Sequence, residues 1–146
     1  ALPKPVGRSV PIIVGGHGKT RTPALAARFA TEFNVPFAPL ADMVTQYGRV
    51  RAACEAAGRD ASELVYSAAQ IVICGRDEAE IARRAAAVGR EVDELRENGL
   101  AGTPDEVVEK LRAYADGGAQ RMYLQILDLA DLEHLELVAA EVMPHV

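Results

Sequence analysis

The chain has 146 residues, enough for one domain with a real core, and 49% hydrophobic against 25% charged residues points to a globular fold. A net charge of −5 argues against a general nucleic-acid or membrane surface, and no apolar run reaches the roughly 18 residues of a membrane span. The expectation is a cytoplasmic protein with neither a nucleic-acid nor a membrane partner. Cys54 and Cys74 lack metal-ligand spacing and sit in apolar settings, which reads as two buried reduced thiols and no metal site.

Residues 1–11, ALPKPVGRSVP, are a proline-punctuated lead without an initiator methionine, so a single domain over residues 1–146 that belongs to a larger one is expected. Residues 10–15 are a continuous apolar run ending in glycine, the pattern of a strand buried on both faces. Thr22 then reads as an N-cap and Pro23 as the first position of a helix that runs to about residue 30. A short strand at residues 33–37 is stopped by Pro36 and Pro39. A helix over residues 40–57 carries Met43, Val44, Tyr47, Val50 and Ala53 or Cys54 at helical spacing.

Residues 64–74 form the longest strand candidate, small and β-branched enough for a barrel interior. One long helix is expected from Asp77 to about residue 97, ended by Asn98-Gly99. Thr103-Pro104-Asp105-Glu106 is a capping box that opens a helix to about residue 116. A fourth strand at residues 122–127 and a last helix from residue 130 or 131 to about 143 complete the chain. The order is α/β, with βα repeated four times and an extra helix before the last strand. Such alternation means parallel strands with crossover helices. An open doubly wound sheet fits, and so does part of a (β/α)8 barrel. A complete barrel is usually about 250 residues, so four units in this length make half of one.

The chemical handle is IIVGGHGKTR, residues 12–21, where an apolar strand breaks into glycines, a lysine and a threonine before a helix. That order gathers backbone N–H groups, a cation and a hydroxyl where a phosphate binds. A nucleotide-triphosphate loop needs a glycine at position 13, which is Ile13. Glycines that only turn the chain, with Lys19 and Arg21 solvated, are a second reading. A third is a clamp for the phosphate of a flavin-type cofactor at the C-terminal rim of a barrel.

PKPV followed by PIIVGGHGKTRTPALAARFATEFNVP resembles the bacterial-luciferase-like family, and within it the actinobacterial-type oxidoreductases that use the deazaflavin coenzyme F420. Gly15, Gly16, Gly18, Lys19, Arg21, Thr22, Leu25, Ala26, Ala27, Arg28, Ala30, Glu32 and Asn34 match that family's pattern. His17, Thr31 and Phe33 depart from it. CEAAGRDASEL and the stretch from GTPDEV to the C-terminus are similar to later family segments, so the resemblance spans the chain in order.

The resemblance implies the C-terminal half, the last four βα units, of a luciferase-like (β/α)8 TIM barrel. It implies a parent oxidoreductase transferring hydride between F420 and a small organic substrate, with an FMN-dependent luciferase-like monooxygenase as the alternative. It places Gly15, Gly16, Gly18, Lys19, Thr20 and Arg21 at the cofactor phosphate. His17, Asn34, Gln70 and Gln125 are possible cleft residues and Asp128 a possible rim residue; no catalytic acid or base stands out. His134 and His145, and the charges of residues 76–96 and 106–112, read as solvated. Half a barrel leaves open strand edges, so a homo-oligomer, or association with an N-terminal half, is expected, and a catalytically silent, self-associating half-barrel is a further alternative.

Overall fold

The computed structural model describes residues 4, 6, 7 and 10–146, so most of the proline-punctuated lead lies outside the described residues. In chain order the elements are β1 (Ile13–Gly15), α1 (Arg21–Phe29), β2 (Glu32–Pro36), α2 (Leu40–Ala56), β3 (Val65–Cys74), α3 (Glu78–Ala87), α4 (Val92–Asn98), β4 (Leu100–Gly102), α5 (Pro104–Asp116), β5 (Arg121–Gln125) and α6 (Leu132–Glu141). No helix among the described residues is long and apolar enough to cross a membrane.

Every strand pair is parallel, as βα alternation requires. The sheet runs β1-β2-β3-β5, with Val14 opposite Phe33, Asn34 opposite Ser67, and Ser67 opposite Arg121. The first strand is shorter than residues 10–15, because only Ile13 to Gly15 find partners on β2. β4 was not anticipated. It pairs with the last three residues of β3, Val72 to Cys74, beyond the point where β2 stops. Along β3 the carbonyl of Tyr66 faces Gln120 on the β5 side, while Val65 and Gly75 hydrogen-bond Thr31 and Gly102. By strand alternation, β4 therefore takes over the edge that β2 occupies lower down.

The expected helix over residues 77–97 is two helices. Gly89 adopts φ +66 and ends α3, and Asp77 caps that helix by accepting the N–H of Glu80 at 2.9 Å. Helix α1 starts a residue before the expected cap: Thr20 is the N-cap and Pro23 the third helical residue. The capping box at α5 forms as read, with Glu106 accepting the N–H of Thr103 at 2.7 Å.

Alternate residues of the strands feed two cores. Phe33, Val35, Tyr66, Ala68, Val72 and Cys74 pack against α1, α2, α5 and α6. Tyr47 sits edge-on to Phe33 and Tyr66, at centroid separations of 6.4 and 5.1 Å, each such pair being worth about 0.5–1.5 kcal/mol beyond its buried area. On the other face, Ile73 joins Ile81, Ala85, Leu95 and Ala101, so α3, α4 and β4 cover only the C-terminal end of β3.

Two further expectations fail in this packing. His134 is buried, not solvated: its Nε2 accepts the N–H of Cys74 at 2.9 Å, which puts the ring proton on Nδ1. Arg84 is also buried. Its Nε donates to Asp131 at 2.9 Å and its Nη1 to the Cys74 carbonyl at 2.6 Å, which fastens α3 and α6 to the end of β3.

Candidate functional site

The glycine loop leaves the C-terminal end of β1, and His17, Gly18, Lys19, Thr20 and Arg21 are all exposed along it. Two glycines are required by the geometry. Gly16 sits at φ +131, a region that side-chain-bearing residues avoid, and its N–H donates to the Asn34 carbonyl at 3.1 Å. A Cβ on Gly18 would collide with the Thr22 hydroxyl and lie 3.1 Å from the Thr22 Cβ. The backbone of the loop is thus pressed bare against the first turn of α1. Thr20 makes no side-chain cap, so the opening N–H groups of that helix are not claimed by it. Lys19 and Arg21 stand beside them.

This arrangement fits an anionic group: accessible amide donors, two cations, a hydroxyl and the positive end of a helix dipole share one corner. Asn34 ties that corner to the sheet. Its carbonyl holds Gly16, and its Nδ2 donates to Ser67 Oγ at 3.0 Å.

Gln70 is buried, its amide nitrogen donating to the Ala38 carbonyl at 2.6 Å and to Tyr114 Oη at 2.7 Å, and the residue lines the same cavity that Gln125 borders. Gln125 is exposed at the end of β5. It borders a cavity of about 440 Å³ whose walls include Phe37, Ile71, Arg90, Asn98 and Leu127. The cavity occupies the gap between the end of β2 and the start of β4, where Phe37 turns the chain aside at φ +50. Both this cavity and the glycine loop lie at the C-terminal edge of the sheet, where β1 and β5 stand three strand spacings apart, about 14 Å. Asp128 accepts the N–H of Ala130 at 3.0 Å, a turn contact.

Sequence reasoning missed two groups. Gln46 of α2 is buried and reaches the glycine loop, with Nε2 donating to the Gly18 carbonyl at 2.8 Å. A lone glutamine in a helix carries no motif that would single it out. Glu32, buried at the start of β2, accepts from Ser67 Oγ at 2.6 Å, from Tyr123 Oη at 2.8 Å, and from Arg121. The strand reading began one residue too late to include it.

A family model described as luciferase-like monooxygenase matches residues 1–94. The chain belongs to that family. Its fold matches this luciferase-like assignment: the chain superposes on a coenzyme F420 dependent tetrahydromethanopterin reductase from Methanopyrus kandleri with a TM-score of 0.74 and 19% identity, over 93% of this chain and 51% of that one. An F420-dependent secondary alcohol dehydrogenase in complex with an F420-acetone adduct gives a TM-score of 0.76 and 14% identity, over 94% and 49%. The oxygenating constituent of 3,6-diketocamphane monooxygenase from Pseudomonas putida, a type II Baeyer-Villiger enzyme in complex with FMN, gives 0.64 and 20%, over 93% and 49%. The luciferase-like chain thus spans about half the length of each of these proteins. No curated protein sequence matches it.

Proposed function

We propose that the glycine loop grips the phosphate-bearing tail of a flavin-type cofactor, in an oxidoreductase that moves hydride between that cofactor and a small organic molecule. The observation that carries this reading is the bare loop of residues 15–19 at the C-terminal end of a parallel strand, running into an α1 start that Thr20 does not cap. Lys19 would meet the anion as a point charge, Thr20 as a hydroxyl donor and Arg21 as a second cation. Gly15, Gly16 and Gly18 would let the backbone approach it closely. Bound there, the cofactor supplies the hydride chemistry, and this chain's part is to hold and orient it.

F420 is the first choice because the KTRTPALAARFATEFN stretch resembles the F420-using branch, and FMN is the alternative. Lys19→Ala tests the loop. Removing one charge-assisted hydrogen bond costs about 1.5–3 kcal/mol, so affinity for F420 or FMN, read by absorbance or fluorescence titration, should drop by about 10- to 150-fold. Undiminished affinity would take Lys19 out of the site, and comparing the two cofactors on the wild type separates the two branches.

A second reading rests on the face away from α1, α2, α5 and α6. There Ile13 is 53% and Tyr123 39% exposed, while β1 and β5 are each paired on one edge only among the described residues. Open parallel edges beside exposed apolar side chains favour association with a second copy of this chain, which sedimentation reads directly.

A further inference from the structure

The loop's exposed amides owe their direction to a side chain on another helix. Gln46, in α2, is 2% exposed. Its Nε2 donates to the Gly18 carbonyl at 2.8 Å and to the Gly16 carbonyl at 3.4 Å, one hydrogen of the amide for each. Its Oε1 accepts from Arg49 Nη1 at 2.9 Å. Arg49 can only donate, so it fixes which end of the amide faces the loop.

A trans peptide is planar, and its C=O and the following N–H point in opposite directions. With the carbonyls of Gly16 and Gly18 turned onto Gln46, the N–H groups of His17 and Lys19 point away from it. Neither N–H donates to a backbone carbonyl among the described residues. Their neighbour Gly16 differs, since its own N–H is held by Asn34. Two outward amides on alternate residues leave two donors free for an anion.

We infer that Gln46 is the positioning residue of the phosphate site: it draws two acceptor carbonyls inward and so presents the His17 and Lys19 amides to the anion. The inference rests on the reading of the loop as a phosphate grip. Gln46 itself touches no ligand. Without its amide the two carbonyls lose their anchor, and either can swing into the corner where an anion would be repelled.

The test uses the ¹⁵N-labelled chain and inorganic phosphate as the probe. In the wild type, phosphate should shift the His17 and Lys19 amide resonances. In Gln46→Met, which keeps the length of the side chain without its donors, those shifts should need roughly ten-fold more phosphate to reach half-saturation. Gln46→Glu, which faces the carbonyls with a carboxylate, should do the same. Wild-type binding that Gln46→Met or Gln46→Glu leaves intact overturns the role of Gln46 while sparing the phosphate reading. A wild type whose His17 and Lys19 resonances ignore phosphate overturns that reading itself. Hydrogen exchange on the phosphate-free wild type needs no variant: Gly16 should be protected and His17 and Lys19 unprotected, and protection of all three would overturn the inference.

Discussion

Acidification from pH 7.5 to 5.5 should loosen the attachment of α6 to the sheet, through His134. The imidazole is buried, and its Nε2 accepts the Cys74 N–H, a bond that a proton on that nitrogen abolishes. Burial foremost, then the Arg84 guanidinium, holds its pKa below the ordinary value; Arg83 acts in the same direction, and Asp131 and Asp128 against it. A depressed histidine pKa means that the unfolded chain binds the extra proton and the folded chain does not. Stability is therefore kept above the unfolded value of about 6.5 and drains away below it. If the folded ring stays neutral across the window, the linkage relation gives a loss of about 1.4 kcal/mol between pH 7.5 and 5.5. Asp131 is displaced in the same direction, since its bond from Arg84 lowers its pKa; its contribution also disappears as the pH falls, but only through the carboxylate range, outside this window. Urea denaturation at a series of pH values measures the slope. His134→Gln keeps an oxygen acceptor for Cys74 and cannot titrate, so the slope it removes belongs to His134. A wild-type stability flat over this range, or an equal slope in the variant, would refute the buried neutral ring.

The cysteine thiols offer a second check on the packing. Burial raises both, Cys74 up to about 11, so at pH 8 a disulfide reagent should label Cys74 about two orders of magnitude more slowly than free cysteine, label Cys54 slowly as well, and react with both in urea; fast stoichiometric labelling of the folded chain would contradict the core. For the open sheet face, sedimentation equilibrium should give a mass of twice 15.6 kDa at micromolar concentration, and a monomer would count against self-association.

What could be read from the sequence was whatever is written locally. The α5 start needed only Thr103, Pro104 and Glu106, all within one turn, and β3 needed only its run of small and β-branched residues. The break at Gly89 was hidden because arginines and glutamates continue on both sides of it, and one glycine in a helical pattern weighs little against them. β4 was hidden for a different reason: three residues carry no periodicity, and their strand exists only because β2 stops short and leaves an edge of β3 to fill. His134 and Arg84 were misplaced because charge suggests solvent, whereas here each is matched by a partner distant in sequence, Cys74 and Asp131. The glycine loop was legible as a candidate site from its composition. The glutamine that shapes it was not, since Gln46 and Gly18 are 28 residues apart and meet only through the packing of α2.

The two ends of the sheet are built to opposite specifications. Glu32 and Arg121 open β2 and β5, and with Ser67 and Tyr123 they form a polar layer at the N-terminal end of the strands. Three partners on β3 and β5 fill three of the roughly four acceptor sites of the Glu32 carboxylate, which makes it a lock between strands. The C-terminal end is the reverse. Backbone donors of the glycine loop are left outward, Thr20 does not cap α1, and a cavity opens between the end of β2 and β4. Polar groups satisfied by protein resist change, while polar groups left to solvent are those a ligand can take over. In a parallel sheet the carboxyl ends of the strands are where helices begin and where an anion gains from their dipoles. The same backbone direction that lets β1, β2, β3 and β5 lie parallel therefore gathers the loop of Lys19 and the cavity of Gln125 on one edge of the sheet.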